Sequence, residues 1–292
     1  MSTADARSPL EAARLADMST ADARSPLEAA RLADMVGAGR VLARLDLVPS
    51  SPSTNTALLA AVAEDGDAWP HLSVLVADHQ TAGRGRAGRQ WQTPARAALT
   101  ASFVLRPAVE RGEYGWAPLV VGLATVRALR RSGVGAYLKW PNDVVVEAGA
   151  RDIPEWGRWR KCVGILCEVV PGQDAIVAGI GVNVSQSAAE LPVPHAASLA
   201  SLGAPVVDRV ALLRTLAAEV RDGVAAWEAG EDMAAQVAQV CATLGWDVTV
   251  DVPGGAPVTG TAVALAASGA LVVRTAEGDR EVLAGDVRVR RA

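Results

Sequence analysis

The sequence predicts an α+β fold: a β-sheet flanked by helices, followed by a small C-terminal β-barrel. Short runs rich in Val and Leu alternate with two long helical patterns over residues 41–244. Residues 245–292 then change to short alternating runs punctuated by Gly254, Gly255, Gly269 and Gly278. The chain has 292 residues, 50% of them hydrophobic. That is enough for one core of roughly 200 residues with a small extra domain beside it.

Taken in order, residues 1–17 recur unchanged as residues 18–34. A copy without drift is unlike a structural repeat, which needs at least about three units. It reads as a recent duplication, an expression scar or a start-site artefact. Residues 1–34 are therefore expected to form a mobile leader. The SPLEAARLAD stretch of the second copy carries a capping Ser, a first-turn Pro and helical spacing, so a short helix is expected there. Ser53, Thr54 and Asn55 open a helix-like ALLAAVAE run. Residues 72–78 and 98–105 read as strands. Residues 116–131 read as a helix, with Trp116, Leu119, Val120, Leu123 and Val126 on one face. Short strands follow at 136–138, 143–146, 163–170 and 175–184. The stretch 144–160, with Pro154, Trp156 and Trp159, reads as an extended hairpin. An amphipathic helix is expected over 208–229 with Asp208 as its cap, and a second over 233–244. In the tail, Val248, Val250 and Val252 alternate, and runs at 258–265, 271–274, 280–283 and 287–289 complete the barrel. The expected domains are thus 1–34, 35–244 and 245–292.

Composition removes several function classes. No apolar run reaches the roughly 20 residues of a membrane span, and the N-terminus lacks a signal-peptide layout, so cytoplasmic residence is expected. Cys162, Cys167 and Cys241 fit neither a disulfide framework nor zinc spacing, and the first two are expected to be buried thiols. The net charge of −4 argues against a general nucleic-acid binder. Yet no acid lies between Asp78 and Glu110, while Arg84, Arg86, Arg89, Arg96 and Arg106 do. Such a locally cationic stretch suits an anionic substrate. Only Lys139 and Lys161 are lysines; every other cation is Arg. Those two positions read either as chance survivors of a bias toward Arg or as places where a compact, movable ammonium is needed.

Five short motifs carry the chemistry. Gly83-Arg84-Gly85-Arg86-Ala87-Gly88-Arg89 follows a strand and His79-Gln80. Its glycines permit close backbone approach and positive φ, and its arginines supply forked donors for carboxylate and phosphate. It is neither a Walker loop nor a dinucleotide fingerprint. Trp91 closes it, as a core indole or as a ring for stacking on a base. Lys139-Trp140-Pro141-Asn142-Asp143 reads either as plain turn chemistry or as a cation, a ring, an amide and a carboxylate gathered in one turn. Lys161 opens an apolar strand, where it needs an anion, and Gly164 leaves room beside that strand. Gly179, Gly181 and Asn183 lie in the next strand, reading either as a bulge or as close approach by a ligand. Ser53-Thr54-Asn55 either caps a helix or reads a polar head group. His79 is expected to be structural.

In this order, SerThrAsn, GRGRxGRxW, KWPND, KxxGIL and GxGxN, the motifs resemble the biotin protein ligases, from about Ser53 to Val184. The resemblance implies that family's central mixed β-sheet, of the class II synthetase-like biotin/lipoate ligase fold, with an SH3-like end domain. About 50 residues precede Ser53, partly a duplicate, which resembles the short form without a DNA-binding domain. It implies biotin and ATP as substrates, Mg²⁺ with the ATP, and biotinyl-5′-AMP as intermediate. The partner implied is the biotin carboxyl carrier domain of a biotin-dependent carboxylase, with no DNA and no membrane, the enzyme acting as monomer or homodimer. Ser53, Thr54, Asn55, Gln80, Gly83, Arg84, Arg86, Lys161 and Gly164 would surround biotin. Arg84, Arg86, Arg89, Trp91, Asn142, Lys161 and Asn183 would hold ATP or the adenylate. Arg86, Lys139, Asp143 and Lys161 would be the catalytic set, Asp143 orienting the carrier amine and taking its proton. Pro52 departs from the family's usual residue, and the 144–160 stretch is longer than typical. The competing readings are a lipoate–protein ligase, a non-catalytic biotin sensor and a nucleic-acid-binding protein. The arginine loop, KWPND and both lysines favour biotin ligation.

Overall fold

The computed structural model describes residues 24–148, 152–204 and 208–289. Along the chain run β1 (Arg44–Val48), α1 (Thr54–Glu64), β2 (Ser73–Ala77), β3 (Gly83–Arg84), β4 (Gln90–Trp91) and β5 (Ala98–Leu105). Next come α2 (Ala117–Arg131), β6 (Ala136–Lys139), β7 (Asp143–Glu147), β8 (Trp159–Val169) and β9 (Ile176–Asn183). Then follow α3 (Arg209–Glu228), α4 (Met233–Ala238), β10 (Asp247–Asp251), β11 (Val258–Leu265), β12 (Leu271–Thr275), β13 (Gly278–Val282) and β14 (Asp286–Val289).

Seven strands form one mixed sheet in the order β1-β2-β5-β9-β8-β7-β6. β1 and β2 are parallel and the remaining neighbours antiparallel. Period-two alternation splits its side chains between two faces. Leu99, Ala101, Phe103, Ala178, Ile180 and Val182 meet α2 and α3 in the main core. That interface explains the apolar α2, whose Gly122 lies so near Leu138 that a Cβ would stand 2.1 Å from its Cδ1. Asp208 caps α3 by accepting from the Val210 N–H at 2.9 Å. On the opposite face Val104 and Val177 pack with Leu58 and Val62 of α1. α1 covers only part of that face, and the uncovered part is the floor of the cleft below.

The five C-terminal strands form a second, antiparallel sheet in the order β13-β12-β11-β10-β14, an SH3-like barrel. Trp140 is fully buried, and its indole N–H donates to the Gly269 carbonyl at 3.1 Å, which ties the barrel to the main sheet.

Three expectations change. The helix expected over 233–244 ends at Ala238, because Leu138 pairs with the following chain at Cys241. The second leader copy forms two 3₁₀ turns, Ala29–Arg31 and Ala33–Met35, not an α-helix. From Arg24 onward it is docked: Leu32 is fully buried and Arg24 pairs with Glu190 at 2.7 Å. The first copy lies outside the described residues. Among the described residues, no helix is long and apolar enough to cross a membrane. Cys162 and Cys241 are buried and Cys167 half-buried, all as free thiols. Burial pushes the Cys162 and Cys167 thiols up to about 12, so neither is a ready nucleophile.

Candidate functional site

A cleft of about 520 Å³ runs across the α1 face of the sheet and ends against the barrel. Of the residues assigned to biotin, ATP or catalysis from the sequence, all but Gly83 line it: Ser53, Thr54, Asn55, Gln80, Arg84, Arg86, Arg89, Trp91, Lys139, Asn142, Asp143, Lys161, Gly164 and Asn183. His79 stays outside the lining and accepts through its carbonyl from the Ser51 N–H at 3.0 Å.

One end is neutral. Ser53 caps α1, which sets Thr54 and Asn55 on its first turn, facing the sheet. The Thr54 N–H and hydroxyl donate to Gln80 Oε1 at 2.7 and 3.0 Å. Ser102 Oγ donates to Asn55 Oδ1 at 2.6 Å, and Asn55 Nδ2 donates to the Leu166 carbonyl and to Glu168 at 2.9 and 3.1 Å. Each group is fixed by a neighbour before any ligand arrives.

The glycines of β8 and β9 prove to make room for side chains. A Cβ on Gly179 would stand 2.1 Å from Asn55 Oδ1. Gly164 and Gly181 face each other across the two strands, and the Trp91 ring lies on both: a Cβ would come within 2.9 Å of it at Gly164 and 2.6 Å at Gly181. β9 pairs without interruption on both sides, so the bulge considered for its glycines is absent there.

The bulge occurs in β8. Val144 pairs with Val163 but Val145 with Lys161, leaving Cys162 as the extra residue. Strict alternation would send Lys161 to the core with Val163 and Ile165; the bulge returns it to the face of Gly164. Lys161 Nζ then pairs with Asp143 Oδ1 at 2.6 Å. Burial alone would raise the Asp143 carboxyl, but Lys161 and Lys139 outweigh it and hold the group below the usual carboxylate range. For Lys139, burial pushes the ammonium down and Asp143 opposes it.

The arginine segment is a tight hairpin, β3 pairing with β4 through Gly83↔Trp91 and Arg84↔Gln90. Gly83 is required by this pairing, since a Cβ would stand 2.4 Å from the Trp91 carbonyl oxygen. At the tip Ala87 and Gly88 take positive φ, 52° and 73°. The arginines reach three different elements. Arg84 pairs with Glu168 at 3.2 Å, Arg86 donates to Asn142 Oδ1 at 3.0 Å, and Arg89 pairs with Asp286 of the barrel. Asn142 is itself fixed by donating to the Ile165 carbonyl at 2.7 Å. Asn183 has both amide atoms engaged, donating to the Ala197 carbonyl and accepting from Gln186, so it shapes the 186–198 loop.

This geometry sits within a recognisable lineage. The biotin/lipoate A/B protein ligase family matches residues 47–185, and the biotin protein ligase C-terminal domain matches residues 243–290. The biotin--[acetyl-CoA-carboxylase] ligase of Mycobacterium tuberculosis is 37% identical over 258 residues, which are 86% of this chain and 91% of that protein. This chain belongs to the biotin protein ligase family. The bifunctional ligase/repressor BirA of Escherichia coli is 32% identical over 66% of this chain and 59% of its own length. Among solved structures, the biotin protein ligase from Aquifex aeolicus in complex with biotin and ATP aligns with a TM-score of 0.69 and 28% identity, covering 86% of this chain and all of that one.

Several residues in or directly behind the cleft of this ligase were missed in the sequence. Ser102 is hidden inside a strand that is buried throughout. Trp156 and His195 stack at 4.1 Å with 7° between their planes. Asp251, Asp286 and Arg288 come from the barrel. Neither spacing nor composition connects these to the motifs; the local signals were the long 144–160 stretch, which carries Trp156, and the His195 loop with Pro192 and Pro194.

Proposed function

We propose that this chain activates biotin with MgATP as biotinyl-5′-AMP and passes the biotinyl group to a lysine of a biotin carboxyl carrier domain. The single observation that carries the reading is the cleft's division into a neutral, pre-satisfied end and a cationic end, bridged by Lys161. A ureido head and an apolar ring suit the first, and a carboxylate meeting a triphosphate needs the second.

In the first step the biotin carboxylate attacks the α-phosphorus, the bond to the β-phosphate oxygen breaks, and pyrophosphate leaves. Two anions must be brought together, so the task is charge cancellation and alignment. Lys161, re-aimed by its bulge, is placed at the junction of the two ends. Arg86, anchored through Asn142, and Arg89 supply further positive charge on the loop side. Among the described residues no group of three or more His, Cys, Asp and Glu could hold a metal ion. The wall carboxylates Asp251 and Asp286 pair with Arg288 and Arg89. This donor set suits an ion carried on the triphosphate, where it neutralises phosphate charge.

In the second step a neutral carrier amine attacks the acyl carbon of the mixed anhydride, the bond from that carbon to the phosphate oxygen breaks, AMP leaves, and the proton lost by the amine passes to water. Asp143 is held ionised by two lysines, which makes it a weak proton acceptor. Its fitting role is to orient Lys161 and the incoming amine, a change from the base expected from the sequence. We place the enzyme in the cytoplasm, with residues 35–244 as catalytic domain and 245–292 as end domain.

The test is pyrophosphate release with biotin, ATP and Mg²⁺, with lipoate in a parallel arm. Biotin-dependent release is expected, falling on the order of 10²–10³-fold in Lys161→Ala. Release with lipoate in place of biotin would move the reading to a lipoate ligase.

A further inference from the structure

The extended hairpin between β7 and β8 reaches back over the cleft. Ile153 and Gly157 pair across its tip. The Glu155 carbonyl accepts from the Val289 N–H at 3.0 Å, and its carboxylate pairs with Arg288 at 3.4 Å, so the tip is moored to the barrel. Mooring Glu155 sets the next side chain, Trp156, inside the cleft. One contact of its ring is the stack on His195. Another is Lys139, whose Nζ lies 4.7 Å from the Trp156 ring centroid.

His195 is no distant neighbour of the chemistry. The Lys161 N–H donates to the His195 carbonyl at 2.7 Å, and the Ala197 N–H donates to the Lys161 carbonyl at 2.8 Å. The 195–197 segment thus brackets Lys161 on the backbone, beside the bulge that aims its side chain. Whatever holds His195 holds that bracket.

We propose that Trp156 is a positioning residue of the ligation site: it seals Lys139 from water and, through His195, fixes the register of Lys161. The proposal rests on the ligase reading. The groups facing Lys139 are Asp143 on β7, Lys161 on β8, Asp286 on β14, Arg89 on the arginine hairpin and His195 on its loop. Among these Trp156 is the uncharged wall; its loss gives up a ring–ammonium attraction but admits water, and for a buried lysine the relief of desolvation is the larger effect. Lys139 is then expected to hold its proton to higher pH.

The chain's two lysines make this directly readable. Protein labelled with ¹³C at lysine Cε gives two side-chain signals, assigned by Lys139→Arg. In Trp156→Ala the Lys139 titration midpoint is expected to move up. Turnover in pyrophosphate release should fall about tenfold, with the KM for biotin within about twofold, since small misplacements of a reacting group cost that much. Trp156→Phe, which keeps a ring, should recover most of both. Where Trp156→Ala does not fold, His195→Ala removes the same stack from the other side and should lower turnover likewise. Wild-type turnover in Trp156→Ala, an unmoved Lys139 signal, or Trp156→Phe as impaired as Trp156→Ala would each overturn the proposal. A loss confined to the KM for ATP would also overturn it, because the ring would then be touching nucleotide. A wild-type protein inactive with biotin defeats the ligase reading instead, while the lysine signals still report on the seal.

Discussion

Beneath α1 the cleft is held by neutral hydrogen bonds among Thr54, Asn55, Gln80 and Ser102; beneath the barrel it is held by charge, among Lys139, Asp143, Lys161, Arg89 and Asp286. The two ends answer to different variables. The α1 end depends on exact fit, because Thr54, Asn55, Gln80 and Ser102 have little slack and do not titrate, the Arg84–Glu168 pair bracing Asn55. The charged end depends on protonation, burial and ionic strength. A biotin ligase needs both, since it must first recognise an uncharged bicycle and then force two anions together.

The contrast predicts that the largest effects of small substitutions fall at the neutral end. In Gly179→Ala the new methyl meets Asn55 Oδ1, and Asn55 cannot yield without giving up Ser102, Leu166 or Glu168. Leaving buried amide groups unpaired costs about 2–3 kcal/mol, so the Kd for biotin alone should rise roughly 30- to 150-fold. Calorimetric titration with biotin, in the absence of ATP, checks this. An unchanged Kd would show that Asn55 has no part in seating biotin.

At the charged end the sharper variable is pH. Burial, then Lys161, hold His195 at about 4, against an ordinary value near 6.5. Its folded pKa lies below its unfolded one, so the unfolded chain takes up the proton first. Stability attributable to this group is therefore complete above about pH 6.5 and declines as pH falls from there toward about 4. Thermal melting between pH 7 and pH 4.5 should show a smaller acid loss in His195→Gln than in the wild type. Equal losses would mean that His195 is no more shielded than in the unfolded chain.

The same contrast explains what could be read in advance. The neutral end lay in contiguous motifs: Ser53-Thr54-Asn55 at a helix start, Gln80 after a strand, glycines in β9. Strand positions such as 98–105 matched because all eight residues of β5 are buried and unambiguous. The charged end is assembled from parts distant in sequence. Its aim depends on one extra residue, Cys162, in a strand whose alternation otherwise points Lys161 inward. A bulge has no composition, and neither does the mooring of a hairpin on a barrel more than a hundred residues away. The glycines were legible as places of close approach, but not what approaches: Asn55 and Trp91 occupy the space. Helix 233–244 was overcalled because apolar spacing does not reveal that Leu138 will capture the chain at Cys241.

The smallest effect expected is also the one that tests the charged end most cleanly. Arg89 and Asp286 pair at the cleft rim with side chains 63% and 37% exposed. Exposed pairs contribute about 0–1 kcal/mol, so Asp286→Asn should leave the melting temperature nearly unchanged. Its consequence for ligand is larger than for fold. Removing the carboxylate frees Arg89 and leaves the rim one charge more positive, so the KM for ATP should fall, by up to about fivefold at low salt. Raising ionic strength to about 1 M shortens the screening length to about 3 Å, and the difference should vanish. A rise in KM instead would mean that Asp286 positions Arg89 for the phosphates. A fall that survives high salt would place the effect in packing at the barrel, and the division of the cleft by charge would have to be redrawn there.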